Sequence, residues 1–132
     1  MSELQIGFKL VHKDKRGCLY VLTYDEQEVL VVTTKTGFSR GGDLHDDIQY
    51  NIVLDGKLEW RWLYDGKEVK KIFRKNDIIK TNPNTPHMMV ALVPTLMMEF
   101  HSEGCPRRRC EDYRPIVDEI NRKRTNKLES DE

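Results

Sequence analysis

The stretch "RGGDLHDDIQYNIVLDG", residues 40–56, decides how this chain is read. Its second half is strand-like. "IQYNIVL" (48–54) runs into Asp55-Gly56, a pair that favours a tight hairpin turn. Its first half carries polar groups where a core face should be forming. Asp43, His45, Gln49 and Asn51 share one parity, and successive residues of a strand point to opposite faces. A regular strand through the stretch sends Asp43, His45, Gln49, Asn51 and Val53 one way. It sends Tyr50, Ile52 and Leu54 the other way. An inward polar row is costly unless its groups are paired, ligated or in contact with a polar ligand. The row is therefore expected to mark a site.

Outward from this stretch the chain reads as all-β. "KLEWRWLY" (57–64) returns from the hairpin, with Leu58, Trp60, Trp62 and Tyr64 on one face and Glu59 and Arg61 on the other. Asp65-Gly66 turns into "KEVKKIFR" (67–74). "IIKT" (78–81), "HMMVALV" (87–93) and "LMMEFHS" (96–102) follow, separated by the bend "NPNTP" and by Pro94-Thr95. Upstream, residues 5–12, 18–24 and 28–34 are rich in β-branched and aromatic residues. Residues 35–44 read as a Gly-rich loop. About nine short strands with regular turns predict a sandwich or a closed barrel. Pro115 suits a helix's first turn, and "PIVDEINRKR" predicts one short C-terminal helix. "TNKLESDE" at the end is expected to fray. The expected organisation is one domain over 1–124 and a polar tail over 125–132.

The totals narrow the function. With 132 residues the chain suits one domain with a real core. Lys+Arg and Asp+Glu are both 22, so nothing in the balance argues for nucleic acid or an anionic membrane. The runs 107–109 and 122–124 are basic but flanked by acids, and read as solvated faces. No apolar run approaches the roughly 20 residues of a spanning helix. The N-terminus lacks signal-peptide character, so a cytoplasmic protein is expected. His101, Cys105 and Cys110 do not match the usual zinc spacings, and free thiols are expected there. His12 and His101 are expected to be surface or satisfied residues. The methionines at 88, 89, 97 and 98 are expected to fill the interior.

The spacing of the opening stretch resembles the first motif of the cupin superfamily: a His-x-His pair, a Glu three or four residues on, and a Gly six further. Here Asp43-x-His45, Gln49 and Gly56 occupy those places, and "NPNTPHMMV" supplies His87 for the second motif. Asp43 stands for the first His and Gln49 for the Glu. A narrower resemblance joins "DKRGCLYVL", "RGGDLH" and "EDYRPIVDEI" to nucleotide-sugar cupins, which include dTDP-4-keto-6-deoxyhexose epimerases and 3,4-ketoisomerases.

That resemblance implies a double-stranded β-helix (a jelly-roll) that forms a homodimer and binds a nucleotide sugar. It implies general acid/base catalysis beside a ketone, which acidifies the neighbouring C–H. His45 and Asp43 are the expected proton-handling residues. Tyr113 is preferred over Tyr50 as the acid, because parity sends Tyr50 away from the row. Arg40, Gln49, Asn51, Arg61 and His87 are the expected substrate contacts, with Arg40 and Arg61 on the phosphates. No cofactor is favoured. A divalent metal (Fe, Mn, Ni or Zn) would take Asp43, His45, Gln49 and His87, and would make the chain a dioxygenase-like cupin. A non-catalytic sugar- or ligand-binding cupin is the third reading, because the expected His is absent at position 43.

Overall fold

The computed structural model describes residues 3–102, 108–109 and 112–131, with the backbone alone at 43, 108 and 109. These residues form β1 (Ile6–Asp14), β2 (Gly17–Tyr24), β3 (Gln27–Thr34), β4 (Ser39–Leu44), β5 (Gln49–Asp55) and β6 (Lys57–Tyr64). They continue through β7 (Lys67–Arg74), β8 (Ile78–Thr81), β9 (His87–Ala91), β10 (Thr95–His101), β11 (Arg108–Arg109) and α1 (Arg114–Ser130). Two antiparallel sheets result, in the orders β1-β2-β3-β10-β5-β8 and β11-β4-β9-β6-β7. Strands distant in sequence lie side by side, as in the expected jelly-roll.

The regular strand expected through 43–53 does not exist. β4 ends at Leu44, residues 45–48 bend, and β5 begins at Gln49 in the opposite sheet. His45 in the bend and Gln49 and Asn51 on β5 nevertheless line one cavity between the sheets. β4 also occupies most of the expected loop at 35–44. The glycines that suggested a loop serve a bulge instead: the β4–β9 register slips between Gly41 and Asp43. Gly41 has φ +105°, and a Cβ there would meet Met88 Cα at 2.8 Å. Only glycine lets the two strands approach so closely.

The core lies between the sheets and includes Val53, Leu58, Trp60, Trp62, Phe73, Met89 and Met97. The tryptophan stripe is thus core, while Tyr64 at its end is exposed. The Trp62 indole N–H donates to Thr81 Oγ1 at 3.1 Å and ties β6 to β8 in the other sheet. Met88 packs separately with Tyr113 and Val117 beneath the helix.

The helix starts as expected, with Pro115 in its first turn, but it runs on to Ser130 through the segment expected to fray. No Gly or Pro interrupts 116–130, and Glu129 near its end pairs with Lys15 at 3.0 Å. Asn121 explains why the helix lies along β4. Its Oδ1 accepts from the Ser39 amide (2.7 Å) and its Nδ2 donates to the Ser39 carbonyl (3.0 Å). One side chain thereby satisfies both backbone groups on the edge of β4. Among the described residues, no helix is long and apolar enough to cross a membrane.

Two glycines in left-handed turns separate conformational strain from steric conflict. Gly66 (φ +77°) faces open space, so Gly66→Ala should cost about 1 kcal/mol. Gly56 (φ +99°) abuts the Pro94 carbonyl and Thr95 Cα, so Gly56→Ala should cost about 3 kcal/mol or more. Denaturant midpoints of the two variants check the difference.

Candidate functional site

A cavity of about 190 Å³ lies between the sheets, where the chain passes from β4 to β5. Leu19, Val32, Met88, Met89 and Met97 give it apolar walls. Its polar lining falls into two groups.

One group is cationic. Arg40 Nε donates to Thr34 Oγ1 (2.9 Å) and its Nη2 to the Thr33 carbonyl (2.8 Å). Arg114 Nη1 donates to the Gly41 carbonyl at 3.2 Å. Arg16 donates to Asp14 through Nη2 (2.6 Å) and Nε. Hydrogen bonding from Arg16 holds the Asp14 carboxyl well below the usual carboxylate range, outweighing its burial. Three guanidiniums are thus fixed by their own partners before any ligand arrives. His12, bonded to Asp14, joins this rim.

The other group is uncharged or titratable. His45 and His87 are buried, with ring centroids 5.8 Å apart. His87 Nδ1–H donates to the Thr85 carbonyl at 3.0 Å, so the neutral ring bears its lone pair on Nε2. Trp60 lies parallel to that ring, 5.6 Å away at 4°. Gln49 Nε2 donates to Glu99 Oε1 (3.0 Å) and Asn51 Oδ1 (2.8 Å), and Asn51 Nδ2 donates to the same Glu99 oxygen (3.3 Å). That arrangement fixes the Gln49 amide. Its Oε1 is buried with no hydrogen-bond partner among the described residues, and the same holds for Trp60 Nε1. Both side chains line the cavity. A buried unmet polar atom costs about 1–3 kcal/mol, so an acceptor and a donor at one cavity suit a ligand that both donates and accepts.

Behind His45, Glu99 Oε2 accepts from His101 Nε2 (2.9 Å), and His101 Nδ1 donates to Asp47 Oδ1 (3.3 Å). Burial alone would lower the His101 pKa. Hydrogen bonds and charge from Glu99 and Asp47 outweigh it and raise the pKa above the ordinary 6.5.

Of the residues singled out from sequence, Arg40, His45, Gln49, Asn51 and His87 line the cavity together. The Asp43 backbone pairs with His87 across β4 and β9; its side chain lies outside the described residues, as do Cys105, Cys110 and the side chains of 107–109. Arg61 is on the outer face of β6, donating to Glu59 at 2.7 Å, because the tryptophans take the inner parity. Tyr113 is buried beside Met88 away from the cavity, its hydroxyl donating to Glu68 Oε2 at 3.0 Å. Tyr50 points outward, as parity requires. Sequence reading missed Arg16, Arg114, Trp60, Glu99 and His101. Glu99 and His101 carried a signal: they share the parity of buried Met97 in an otherwise apolar strand.

No family model matches the chain, and no curated protein matches it in sequence. Its backbone does match solved structures. A capsular polysaccharide assembling protein of Staphylococcus aureus, CapF, superposes with TM-score 0.66 at 17% identity over 84% of this chain. The match covers 33% of CapF, so this chain spans about a third of that protein's length. Oxalate decarboxylase of Bacillus subtilis, described with Mn(II) centres, gives 0.66 at 14% identity over 76% of this chain and 29% of its own. The cupin domain of Drosophila melanogaster CENP-C gives 0.56 at 18% identity over 76% of both chains.

The chain has a cupin fold.

Cupins imply a metal test of the motif positions. Here Gln49 Nε2 is committed to Glu99 and Asn51, which leaves its Oε1, and His87 Nδ1 is committed to the Thr85 carbonyl. The described ligand atoms that lie within 4.8 Å of one another belong to a different set, His45, Asp47 and His101. Two imidazoles and a carboxylate suit Zn, Fe or Mn. Glu99 behind His101 supplies the carboxylate that orients a ligating imidazole. A metal therefore fits this displaced set.

With no metal, His101 contributes stability as a cation. Its raised pKa makes that contribution fully present below pH 6.5 and lost as pH rises through the folded value. Urea unfolding at a series of pH values from 6 to 9 should show stability falling, and His101→Gln should flatten the fall.

Proposed function

We propose that this cupin binds a nucleoside-diphosphate 4-keto-6-deoxysugar and moves protons beside its ketone, as an isomerase or epimerase. The observation that carries the reading is the division of one cavity between three anchored arginines and a buried pair of histidines with an unmet donor and acceptor. Size supports it. A volume near 190 Å³ is below the roughly 300–1,000 Å³ of sites that enclose a whole drug-sized ligand, so only the sugar enters. The diphosphate then lies against Arg16, Arg40 and Arg114, whose planar guanidiniums bind phosphate oxygens in pairs. A sugar hydroxyl can donate to Gln49 Oε1 and another can accept from Trp60 Nε1.

The ketone acidifies the adjacent C–H, so a base of near-neutral pKa suffices. His87 offers Nε2 as that base, held by the Thr85 carbonyl and braced by Trp60. His45, just past the end of the neighbouring strand β4, returns the proton. Apolar methionine walls keep water from competing. The protein acts in the cytoplasm on a soluble substrate, with no nucleic-acid or membrane partner.

dTDP or UDP should raise the melting temperature without added metal. Arg16→Gln and Arg40→Gln should each weaken nucleotide binding by about tenfold or more, as loss of a charged hydrogen bond predicts. A 4-keto-6-deoxysugar nucleotide in D₂O should gain deuterium, and His87→Gln should slow that exchange by about a hundredfold or more while keeping the nucleotide-induced shift. Nucleotide binding with no exchange into any such sugar would reduce the chain to a binding module.

A second reading rests on His45, Asp47 and His101. Fe, Mn, Ni or Zn held there would supply Lewis-acid or oxygen chemistry of the dioxygenase kind. The readings make opposite demands of His101 Nδ1: a proton in the first, an ion in the second. Elemental analysis of protein purified without chelator decides. Near-stoichiometric metal that Asp47→Asn removes supports the second reading; below about a tenth of an equivalent, it fails.

A further inference from the structure

A second hollow, a groove of about 440 Å³, opens on the surface between α1 and the turn that joins β1 to β2. One bank is Arg114, Asp118, Asn121 and Thr125. These recur every three or four residues, so they form one stripe along the helix. The other bank is the turn at Asp14, Lys15 and Arg16, and buried Phe38 also lines the groove. Lys15 reaches Glu129 at 3.0 Å and ties the two banks together near the end of α1. Thr125 lies in the segment expected from sequence to fray, so the groove exists because the helix runs on to Ser130. A neighbouring stripe, Val117 and Ile120, packs with Tyr113 on Met88 and holds the helix down. Thr125 and Asn126, both at the groove, make no hydrogen bond among the described residues.

The groove and the cavity share Arg16 and Arg114, whereas Arg40, His45, Gln49 and His87 belong to the cavity alone. Where the two spaces meet, Arg114 Nε is buried and makes no hydrogen bond among the described residues, with Asp118 Oδ1 3.4 Å away. A buried charged donor left unmet costs more than a neutral one. An anion between cavity and groove would satisfy it.

Size then sorts the parts of a ligand. The cavity, at about 190 Å³, is too small for a whole drug-sized molecule, while the groove lies within the roughly 300–1,000 Å³ of sites that hold one. A sugar in the cavity and phosphates at the shared arginines leave the groove for the remaining part. Its polar groups suit a nucleoside. The Asp118 carboxylate accepts from sugar hydroxyls, and the Asn126 amide both donates and accepts, as the edge of a base requires. Arg122 is pinned to Glu119 through Nε (3.0 Å) and Nη2 (2.6 Å). Its in-plane donors are thereby occupied and its flat face stays available, and guanidinium faces stack on bases.

We infer that the nucleoside half of the ligand lies outside the sandwich, in this groove against α1, with its phosphates at Arg16 and Arg114. This placement rests on the nucleotide-sugar reading above and adds to it the residues that hold ribose and base.

Isothermal titration of the full chain with dTDP, UDP and inorganic pyrophosphate, without added metal, tests it. The better of the two nucleotides should bind at least about tenfold more tightly than pyrophosphate, as a stacked base and added hydrogen bonds predict. Thr125→Trp, which fills the groove, should bring nucleotide affinity down to that of pyrophosphate, leaving pyrophosphate binding and the far-UV spectrum unchanged. Asn126→Ala, at an exposed position, should weaken nucleotide binding about fivefold, as loss of one hydrogen bond predicts. Lys123→Trp, exposed on α1 and outside the groove, should change neither affinity. Photolysis of 5-azido-UDP on the unaltered chain gives a readout free of folding effects: label should fall at residues 14–16 or 121–126. No binding by any of the three probes would overturn the nucleotide reading and this placement together. Nucleotides no tighter than pyrophosphate, a folded Thr125→Trp variant that binds them as before, or label confined to the cavity lining would overturn the placement alone.

Discussion

Glu99 organises the polar end of this protein. One of its oxygens accepts from both Gln49 and Asn51, and the other accepts from His101, which in turn reaches Asp47. A carboxylate between two sheets is tolerated only with such partners, since an isolated buried charge is expensive. The partners come from β5, from β10 itself and from the bend at 45–48. The same bonds that satisfy Glu99 fix the Gln49 amide, and so decide that its carbonyl oxygen is the atom left for a ligand. Buried networks of this kind are strong when complete and costly when broken. The geometry of the cavity and the closure of the sandwich therefore depend on one another.

The rest of the fold makes room for that network. Trp60, Trp62, Phe73 and the buried methionines fill the space between the sheets. Trp62 links the sheets through Thr81, and Trp60 braces His87. The bulge at Gly41 brings β4 against β9, which sets Asp43 opposite His87 in register. The helix then closes the outer edge of β4 through Asn121, and Arg114 at its start reaches the Gly41 carbonyl. Arg114 thus serves the fold and lines the cavity at once, which is why the helix belongs to the site as well as to the scaffold.

Much of this was legible from the chain. The strand runs, the two Asp-Gly hairpins, the helix start at Pro115 and the inward row of polar residues all follow from local pattern. His45 and His87 were paired by motif spacing alone. Other residues escaped for physical reasons. β4 looked like a loop because its glycines carry no strand preference; a bulge pressed against another strand uses glycine for closeness rather than flexibility. Arg61 was expected to share the phosphates with Arg40, but Leu58, Trp60 and Trp62 take the inward parity of β6 and leave Arg61 outside. The helix passed its expected end because no Gly or Pro interrupts 116–130, and polarity alone does not stop a helix.

Parity and residue type determined that polar groups would gather inside an all-β fold. They could not determine which groups meet, because that depends on where the chain changes sheets. The bend at 45–48 carries the chain from one sheet to the other, and pairing between β10 and β5 carries Glu99 and His101 to Asn51 and Gln49. Sheet order, a property of long-range pairing, decided the site's membership; local sequence could only supply its candidates.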